Sequence, residues 1–314
     1  MRSHRWFTPW LLVAPAVIWT LTFALYPFIN TIILSFTNAR PIVGGTFIGL
    51  GNYERLASDP MFWSALQVTF VYVVACVPLL TLLPLFLALL VQRKIPGIAF
   101  FRTVAYFPVI ASVVAVSLIW KWMFDSQGIV NEALQWLGLT NEAVPFLVDR
   151  WKLVAVSVGL TVWRGLGYYM IVYLAALGNV GDELHEAAAL DGASSFRRFL
   201  HVTVPGVRGA MLLIMALISV SAMRIFSELY MLTNGTGGPG GENSSVVMII
   251  RQVGAGLSGQ LGYASAISVV LFFLTLIPMA FIGYVNNHGN AVPRTRKSKR
   301  ARVSVAASTS GALR

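Results

Sequence analysis

The sequence contains very little cysteine and very little charge. Its 314 residues include one cysteine, Cys76, so no disulfide can form within the chain and a cysteine-based metal site has no support. Charged residues make up 11% of the chain and hydrophobic residues 57%, with a mean hydropathy of +0.73. Soluble domains carry about a quarter charged residues. These values exclude an ordinary soluble enzyme.

Long apolar runs are abundant in the chain. A helix needs about 20 mainly apolar residues to cross the hydrocarbon core of a bilayer, and six runs are long enough. They are approximately Trp10 to Thr31, Val68 to Val91, Thr103 to Trp120, Leu153 to Gly178, Gly209 to Leu232 and Leu261 to Val285. We therefore predict an all-α integral membrane protein with six transmembrane helices, whose membrane domain spans residues 10–285.

Basic residues flank these runs unevenly. Lys and Arg are retained on the cytoplasmic side of a membrane, and most of the 23 Lys and Arg lie there if both termini are cytoplasmic. Residues 1–9 then form a cytoplasmic N-terminus, and residues 286–314 a basic cytoplasmic tail. We predict that this tail is disordered, and it is either attracted to anionic membrane lipid or simply solvated. The net charge of +11 follows from this plasma-membrane (inner-membrane) topology, so nucleic acid is not an expected partner.

The loop between the fourth and fifth runs, residues 182–208, has the pattern of two short helices. An acidic start and an alanine run favour the first helix. Gly192 permits a turn that a residue with a Cβ would resist. The second helix carries Phe196 and Phe199 on one face and ends at Pro205. On periodicity alone, the pair could lie on the bilayer surface or rest against the bundle or another protein.

The same loop resembles the EAA signature of the membrane subunits of binding-protein-dependent ABC importers. The matching positions, at the distances of that family, are Glu186, Ala187, Ala188, Gly192, Val202 and Pro205. Further segments resemble the carbohydrate branch of the family, the maltose and glycerol-phosphate type permeases. These segments are GLGNYERLASDPMFWSAL from Gly49, FRTVAYFPVIAS from Phe101, LIWKWMFD from Leu118, LDGASSF from Leu190 and IFSELYMLTNGTGGPG from Ile225. The resemblance extends from about Leu11 to Tyr284.

This resemblance implies a type I ABC importer permease bundle whose EAA loop acts as a coupling helix. The loop would sit in a cleft of a cytoplasmic ABC ATPase dimer, which would bind ATP and Mg, because this chain lacks the GxxxxGK pattern followed by Ser or Thr. A second homologous permease and an extracytoplasmic solute-binding protein are also implied. The solute would be a sugar, a disaccharide or a sugar phosphate. The residues implied in ATPase coupling are Glu186, Ala187, Ala188, Asp191, Gly192, Phe196 and Pro205.

Three charged residues interrupt the apolar runs: Arg164, Arg224 and Glu228. Charge within a membrane is costly unless it is paired or faces water, so we predict that they mark the solute pathway. Neighbouring aromatic rings suit the apolar faces of sugars. The aromatic candidates are Trp163, Tyr168 and Phe226. Alternatively, Arg224 and Glu228 lie on one helix and neutralise each other, and the aromatic residues serve packing.

The glycine-rich loop from Thr233 to Ser245 is predicted to lie outside the membrane without regular structure. The resemblance suggests that the external binding protein contacts it. The candidate contacts are Gly237, Gly238 and Pro239. A plain flexible connector is equally consistent with this composition.

Two other classes of function compete with the importer. An ion-coupled secondary transporter or channel would act without an ATPase, but it would need acidic residues within the membrane, and Glu228 is the only one. An intramembrane enzyme would need a nucleophile beside a base within a run, and no run contains that combination. We therefore predict that the chain is not an enzyme and holds no cofactor of its own.

Overall fold

The computed structural model describes residues 7–92 and 95–289, and these residues are mainly helical. The helices are α1 (Thr8–Ser35), α2 (Gly51–Ser58), α3 (Pro60–Val91), α4 (Ile98–Ile110), α5 (Val113–Met123), α6 (Ile129–Trp136), α7 (Arg150–Leu177), α8 (Asp182–Leu190), α9 (Ser195–Gly206), α10 (Arg208–Met223), α11 (Ser227–Leu232), α12 (Val246–Gly254) and α13 (Leu261–Gly289). The all-α prediction is confirmed for the described residues. Most of the predicted N-terminus and all of the basic tail beyond residue 289 lie outside them.

Four of these helices, α1, α3, α7 and α13, are long and apolar enough to cross a membrane. Two further candidate spans are bent pairs, α4 with α5 at 96° and α9 with α10 at 69°. In the second pair only α10 lies within a predicted run, and α9 belongs to the loop of residues 182–208. Counting each bent pair as one span gives six, which matches the number of apolar runs. The run from Thr103 to Trp120 is therefore two helices, and Pro108, which lacks a backbone donor, lies in the last turn before the break.

The fifth predicted span, Gly209 to Leu232, is also discontinuous. Helix α10 ends at Met223, and the backbone leaves helical geometry before α11 begins at Ser227. A break inside a membrane requires new partners for the released backbone groups. Here the hydroxyl of Ser245, which is fully buried, donates to the carbonyl of Ile225 at 2.6 Å. The fifth span is therefore a helix followed by a supported turn and a short helix.

The core forms where α3 packs along α7, with α10 against both. Tyr173 on α7 is fully buried and donates its hydroxyl to the carbonyl of Thr81 on α3 at 2.9 Å. Gly167 brings α7 against α4, since a Cβ at this position would lie 2.3 Å from the carbonyl oxygen of Ala105. Small residues allow such close backbone approach between membrane helices. This packing fixes the face of α7 that carries Arg164.

The two ends of the bundle are fastened by different polar contacts. At one end, the Tyr263 hydroxyl donates to the Asp59 carboxylate at 2.5 Å. At the other end, Arg102 donates to the carbonyl of Val91 at 2.7 Å, and Arg208 to that of Val285 at 3.0 Å. The loop of α8 and α9 lies at this second end, which is the one predicted to be cytoplasmic.

Candidate functional site

A cavity of about 320 Å3 lies between α3, α7, α10 and the turn before α11. This volume is at the lower end of the range of about 300–1,000 Å3 that is usual for small-molecule sites. Its lining residues are Tyr72, Cys76, Leu80, Val109, Thr161, Arg164, Gly165, Tyr168, Tyr169, Ile218, Ser221, Ala222, Arg224, Ile225, Phe226, Ser227 and Glu228. The structure thus brings together most of the residues predicted for the solute pathway, with Trp163 as the exception.

Arg164 and Glu228 form an ion pair in the wall of this cavity. The Nη1 atom of Arg164 lies 3.6 Å from Oε1 of Glu228, and the two side chains are 23% and 13% exposed. Glu228 lies in the first turn of α11, where the helix dipole favours a negative charge. The alternative in which Arg224 and Glu228 share one helix is wrong, because α10 ends at Met223. The partner of Glu228 is Arg164 on α7.

Arg224 is the other cation of the cavity. It occupies the break after α10, its side chain is exposed, and it lines the cavity. Within residues 7–92 and 95–289, it makes no ion pair. The cavity wall therefore carries one neutralised arginine and one arginine whose charge is not balanced by a residue of the described chain.

Aromatic rings cover two sides of the cavity. Tyr168 and Tyr169 meet edge to face at 5.1 Å between ring centroids. Phe226 stacks on Tyr230 at 4.9 Å. The prediction for Trp163 differs from the structure: its ring lies 6.1 Å from that of Trp120 and not in the cavity wall. Adjacent residues on a helix point about 100° apart, so Trp163 cannot share the direction of Arg164.

The loop between α7 and α10 has the predicted form of two helices joined at a glycine. Gly192 has a φ of +75°, in the left-handed region that favours glycine. The Ser194 side chain caps the second helix by accepting from the N–H of Arg197 at 3.4 Å. The second helix is longer than expected, because it continues through Pro205 to Gly206. Pro205 therefore lies in its last turn.

The tip of this loop is open to its surroundings. Glu186 is exposed, as are Leu190 at 90% and Phe196 at 69%. Phe199, in contrast, stacks on Phe86 of α3 at 5.7 Å. Of the two phenylalanines predicted on this face, only Phe199 therefore stacks on a ring of the bundle. Phe196 is left as an apolar side chain on an exposed surface.

The glycine-rich loop is compact, although its composition was equally typical of a flexible connector. A single 3-10 turn spans Pro239–Gly241, and the side chains of Asn243 and Ser244 are 1% exposed. Gly237 and Gly238 both have a φ of +75°. A Cβ at Gly237 would lie 2.0 Å from the Ser244 hydroxyl. Glycine is therefore required here by close packing.

Comparison with known protein families identifies the family to which this fold belongs. Residues 56–288 match the family model of the binding-protein-dependent transport system inner membrane component. The chain belongs to this family. The permease is also 34% identical over 270 residues to the lactose transport system permease protein LacF of Rhizobium radiobacter, which covers 85% of this chain and 90% of that protein. It is 30% identical over 287 residues to the arabinooligosaccharides transport system permease protein AraP of Halalkalibacterium halodurans, which covers 88% and 89% of the two chains.

A solved structure has the same fold as the permease. This is a chain of the bacterial alginate ABC transporter in complex with its alginate pentasaccharide-bound periplasmic protein. The TM-score is 0.77 at 22% identity, over 91% of this chain and 98% of the other. The likeness concerns the fold and extends over most of the chain.

Several cavity residues of the permease were not predicted from its sequence. They are Tyr72, Cys76, Leu80, Thr161, Ser221 and Ser227. Tyr72 and Thr161 join their hydroxyls in a hydrogen bond between α3 and α7. The spacing of four between Tyr72, Cys76 and Leu80 places them on one helix face, and this was the available signal. Among the described residues, no three His, Cys, Asp or Glu side chains are grouped as a metal site.

Proposed function

We propose that this permease forms half of the translocation pathway of an ATP-driven importer for a carbohydrate, either an oligosaccharide or a sugar phosphate. An external binding protein delivers the solute, and a second homologous permease completes the pathway. A cytoplasmic ABC ATPase dimer binds ATP and Mg and supplies the energy. The permease itself is then a transport component and not an enzyme, and both of its termini face the cytoplasm.

The observation that carries this proposal is the cavity around the Arg164–Glu228 pair. Charged groups can bond the hydroxyls of a sugar while aromatic rings cover its apolar face. The cavity contains charged side chains and aromatic rings. Its position beside a broken helix is typical of solute sites in transporters. The names of the lactose and arabinooligosaccharide relatives support a saccharide solute.

The loop of α8 and α9 supports the proposed docking to an ATPase. Leu184, Leu190 and Phe196 expose 58%, 90% and 69% of their area at this end of the bundle. Large apolar side chains in such a group are typical of an interaction surface. Glu186 lies on the same exposed helix, where its carboxylate can bond a cationic partner residue. Movement of the ATPase would then shift the loop and, through Phe199 on Phe86, the bundle.

The compact glycine-rich loop is proposed to contact the binding protein through Gly237, Gly238 and Pro239. Its backbone is fixed by hydrogen bonds such as that from the Asn243 N–H to the Gly237 carbonyl at 2.7 Å. A preformed loop binds a partner with less loss of conformational entropy than a mobile one. This rigidity is the support for a docking role.

Reconstitution of the complete complex tests the proposal. Proteoliposomes with ATP inside and binding protein outside should take up labelled disaccharide, whereas liposomes without ATP or without binding protein should not. Glu186→Lys should abolish uptake while the complex still assembles, because it reverses the charge at the proposed ATPase contact. Glu54→Lys, which reverses an exposed acid on α2 at the opposite end of the bundle, is the matched control and should retain uptake.

Two results would contradict the proposal. One is solute uptake by the permease alone in liposomes that contain no nucleotide-hydrolysing partner. The other is transport-coupled ATP hydrolysis at the wild-type rate in Glu186→Lys. Failure of every saccharide and sugar phosphate in a panel, with uptake of another solute class, would remove the carbohydrate assignment alone.

A further inference from the structure

A stack of side chains continues from the cavity toward the glycine-rich loop. Phe226 lines the cavity, and its ring lies 4.9 Å from that of Tyr230, with an angle of 27° between the planes. The guanidinium carbon of Arg251, on α12, lies 4.5 Å from the Tyr230 ring centroid and 5.9 Å from that of Phe226. Tyr230 and Arg251 lie outside the cavity lining. The stack therefore extends the cavity wall beyond its edge.

The outer part of this stack is held firmly. Gly235 packs against the Tyr230 ring so closely that a Cβ would lie 2.7 Å from a ring carbon. Gln252, the residue after Arg251, donates to the carbonyl of Gly235 at 3.4 Å. Lys121 on α5 donates to the neighbouring Asn234 side chain at 2.6 Å. Tyr230 and Arg251 are thus fixed to the loop that is predicted to face the outside.

Arg251 is positioned but has no polar partner in the described part of the chain. Its side chain is exposed, and within residues 7–92 and 95–289 it forms no ion pair and no side-chain hydrogen bond. A guanidinium carries five N–H donors in a planar fork. Contact with an aromatic face restrains that fork, so less entropy is lost when it binds a ligand. Its N–H groups are therefore positioned to donate hydrogen bonds to an acceptor outside the described part of this chain.

The position of Arg251 indicates which acceptor it meets. An arginine that contacted an acidic residue of the binding protein would be expected at the tip of the loop, away from the cavity. Arg251 instead stacks on the ring that continues the cavity wall through Phe226. We propose that Arg251, restrained by Tyr230, forms a second saccharide subsite at the outer entrance, where its N–H groups bind adjacent hydroxyls of the sugar before the sugar enters the cavity. This inference rests on the proposed function.

Uptake by the reconstituted complex tests this subsite. Arg251→Lys keeps the charge but removes the planar fork, and Arg251→Gln removes both. Arg40→Lys, at an exposed arginine of the hairpin between α1 and α2, is the matched control. Arg251→Gln should lower the maximal rate of disaccharide uptake about tenfold, as expected for loss of charge-assisted hydrogen bonds. Arg251→Lys should also lower it, because an ammonium cannot bind two adjacent hydroxyls with one planar fork. The concentration of loaded binding protein that half-saturates ATP hydrolysis should not change, and Arg40→Lys should behave as wild type.

Photolabelling supplies a second measurement. A disaccharide that carries a diazirine, presented on the binding protein to the wild-type complex, should label residues 246–254 as well as residues 214–232. Wild-type uptake rates in Arg251→Lys, or labelling confined to residues 214–232, would overturn the subsite. A changed half-saturating concentration of binding protein with a normal maximal rate would assign Arg251 to protein docking and also overturn it. If the wild-type complex transports no saccharide, the proposed function itself fails.

Discussion

Arg164 and Glu228 face each other across the cavity wall, with 3.6 Å between the guanidinium Nη1 and the carboxylate Oε1. The pair joins α7 to the short helix that follows the break in the fifth span. Glu228 is the one acidic residue in the predicted apolar runs. It is paired with Arg164, and the predicted runs contain no second acid that an ion-coupled mechanism could use.

Removal of one partner of this pair should destabilise the permease more than it would at the surface. Glu228→Gln leaves the mainly buried Arg164 guanidinium without its counter-charge. We expect a loss of about 2 kcal/mol in stability, between the ~0–1 kcal/mol of exposed pairs and the ~3–5 kcal/mol of fully buried ones. The measurement is the thermal unfolding midpoint of the purified complex.

Lys152→Gln is the control for this experiment. It removes the Lys152–Asp149 pair, which is 3.9 Å long with side chains 42% and 43% exposed, so it should change stability very little. The exchanged double variant Arg164→Glu with Glu228→Arg should recover only part of the lost stability, because an arginine in the first turn of α11 opposes the helix dipole. Equal midpoints for Glu228→Gln and Lys152→Gln would show that the 3.6 Å pair is not stabilising.

Gly192 should be sensitive to backbone strain and insensitive to size. Its φ is +75°, and a Cβ there would meet nothing within 4 Å. Gly192→Val should therefore cost about 1–2 kcal/mol through the left-handed conformation alone and shift α9 relative to α8. We expect reduced uptake per ATP hydrolysed in proteoliposomes. Gly192→Asn, which tolerates this conformation, should stay close to wild type, and identical behaviour of the two variants would argue against a conformational role for the glycine.

Gly167 and Gly165, two residues apart on α7, should respond differently to the same added methyl group. A Cβ at Gly167 would lie 2.3 Å from the Ala105 carbonyl oxygen, whereas at Gly165 the nearest atom, at 2.8 Å, belongs to the Leu80 side chain. A side chain can rotate away, but the backbone of α4 cannot do so without moving the helix. Gly167→Ala should cost about 1–3 kcal/mol, and Gly165→Ala less, as judged by thermal unfolding. The reverse order would contradict the packing of α4 on α7.

Cys76 offers a direct readout of the cavity. It is the only cysteine of the chain, it lines the cavity, and its side chain is inaccessible in this conformation. Alkylation by a small maleimide should therefore be slow at rest and faster when ATP and loaded binding protein open the pathway. Bound solute should slow it again. Cys76→Ser is the control that reveals labelling of the partner subunits. The same labelling rate at rest, with ATP and loaded binding protein, and with bound solute would show that the cavity does not open.

The sequence predicted the helices well where the signal was apolar length. The ends of α3 and α7 agree closely with the runs that ended at Val91 and Gly178. The break in the fifth span was missed, because hydropathy reports how apolar a segment is and not whether its backbone stays helical. The break in the fifth span is supported by Ser245, twenty residues away along the chain from Ile225. No pattern in the neighbouring sequence predicts that contact.

The charged residues of the cavity could be predicted from the sequence, but most of its uncharged lining residues could not. Arg164, Arg224 and Glu228 stand out because charge in an apolar run is expensive, and all three line the cavity. Tyr72 and Thr161 are ordinary residues for a membrane helix, and their role follows only from the packing of α3 on α7. Trp163 was chosen by its nearness in sequence to Arg164, a criterion that fails on a helix because neighbours point in different directions.

The hydrogen bond from Ser245 to the Ile225 carbonyl makes the interrupted fifth span a fixed corner in the wall of the passage. The bond joins the Ser245 hydroxyl to a main-chain carbonyl, so the side chains of Arg224 and Phe226 take no part in it. Arg224 and Phe226 flank Ile225 and line the cavity. Substitutions at these two positions should therefore change solute specificity without changing the backbone conformation of the break.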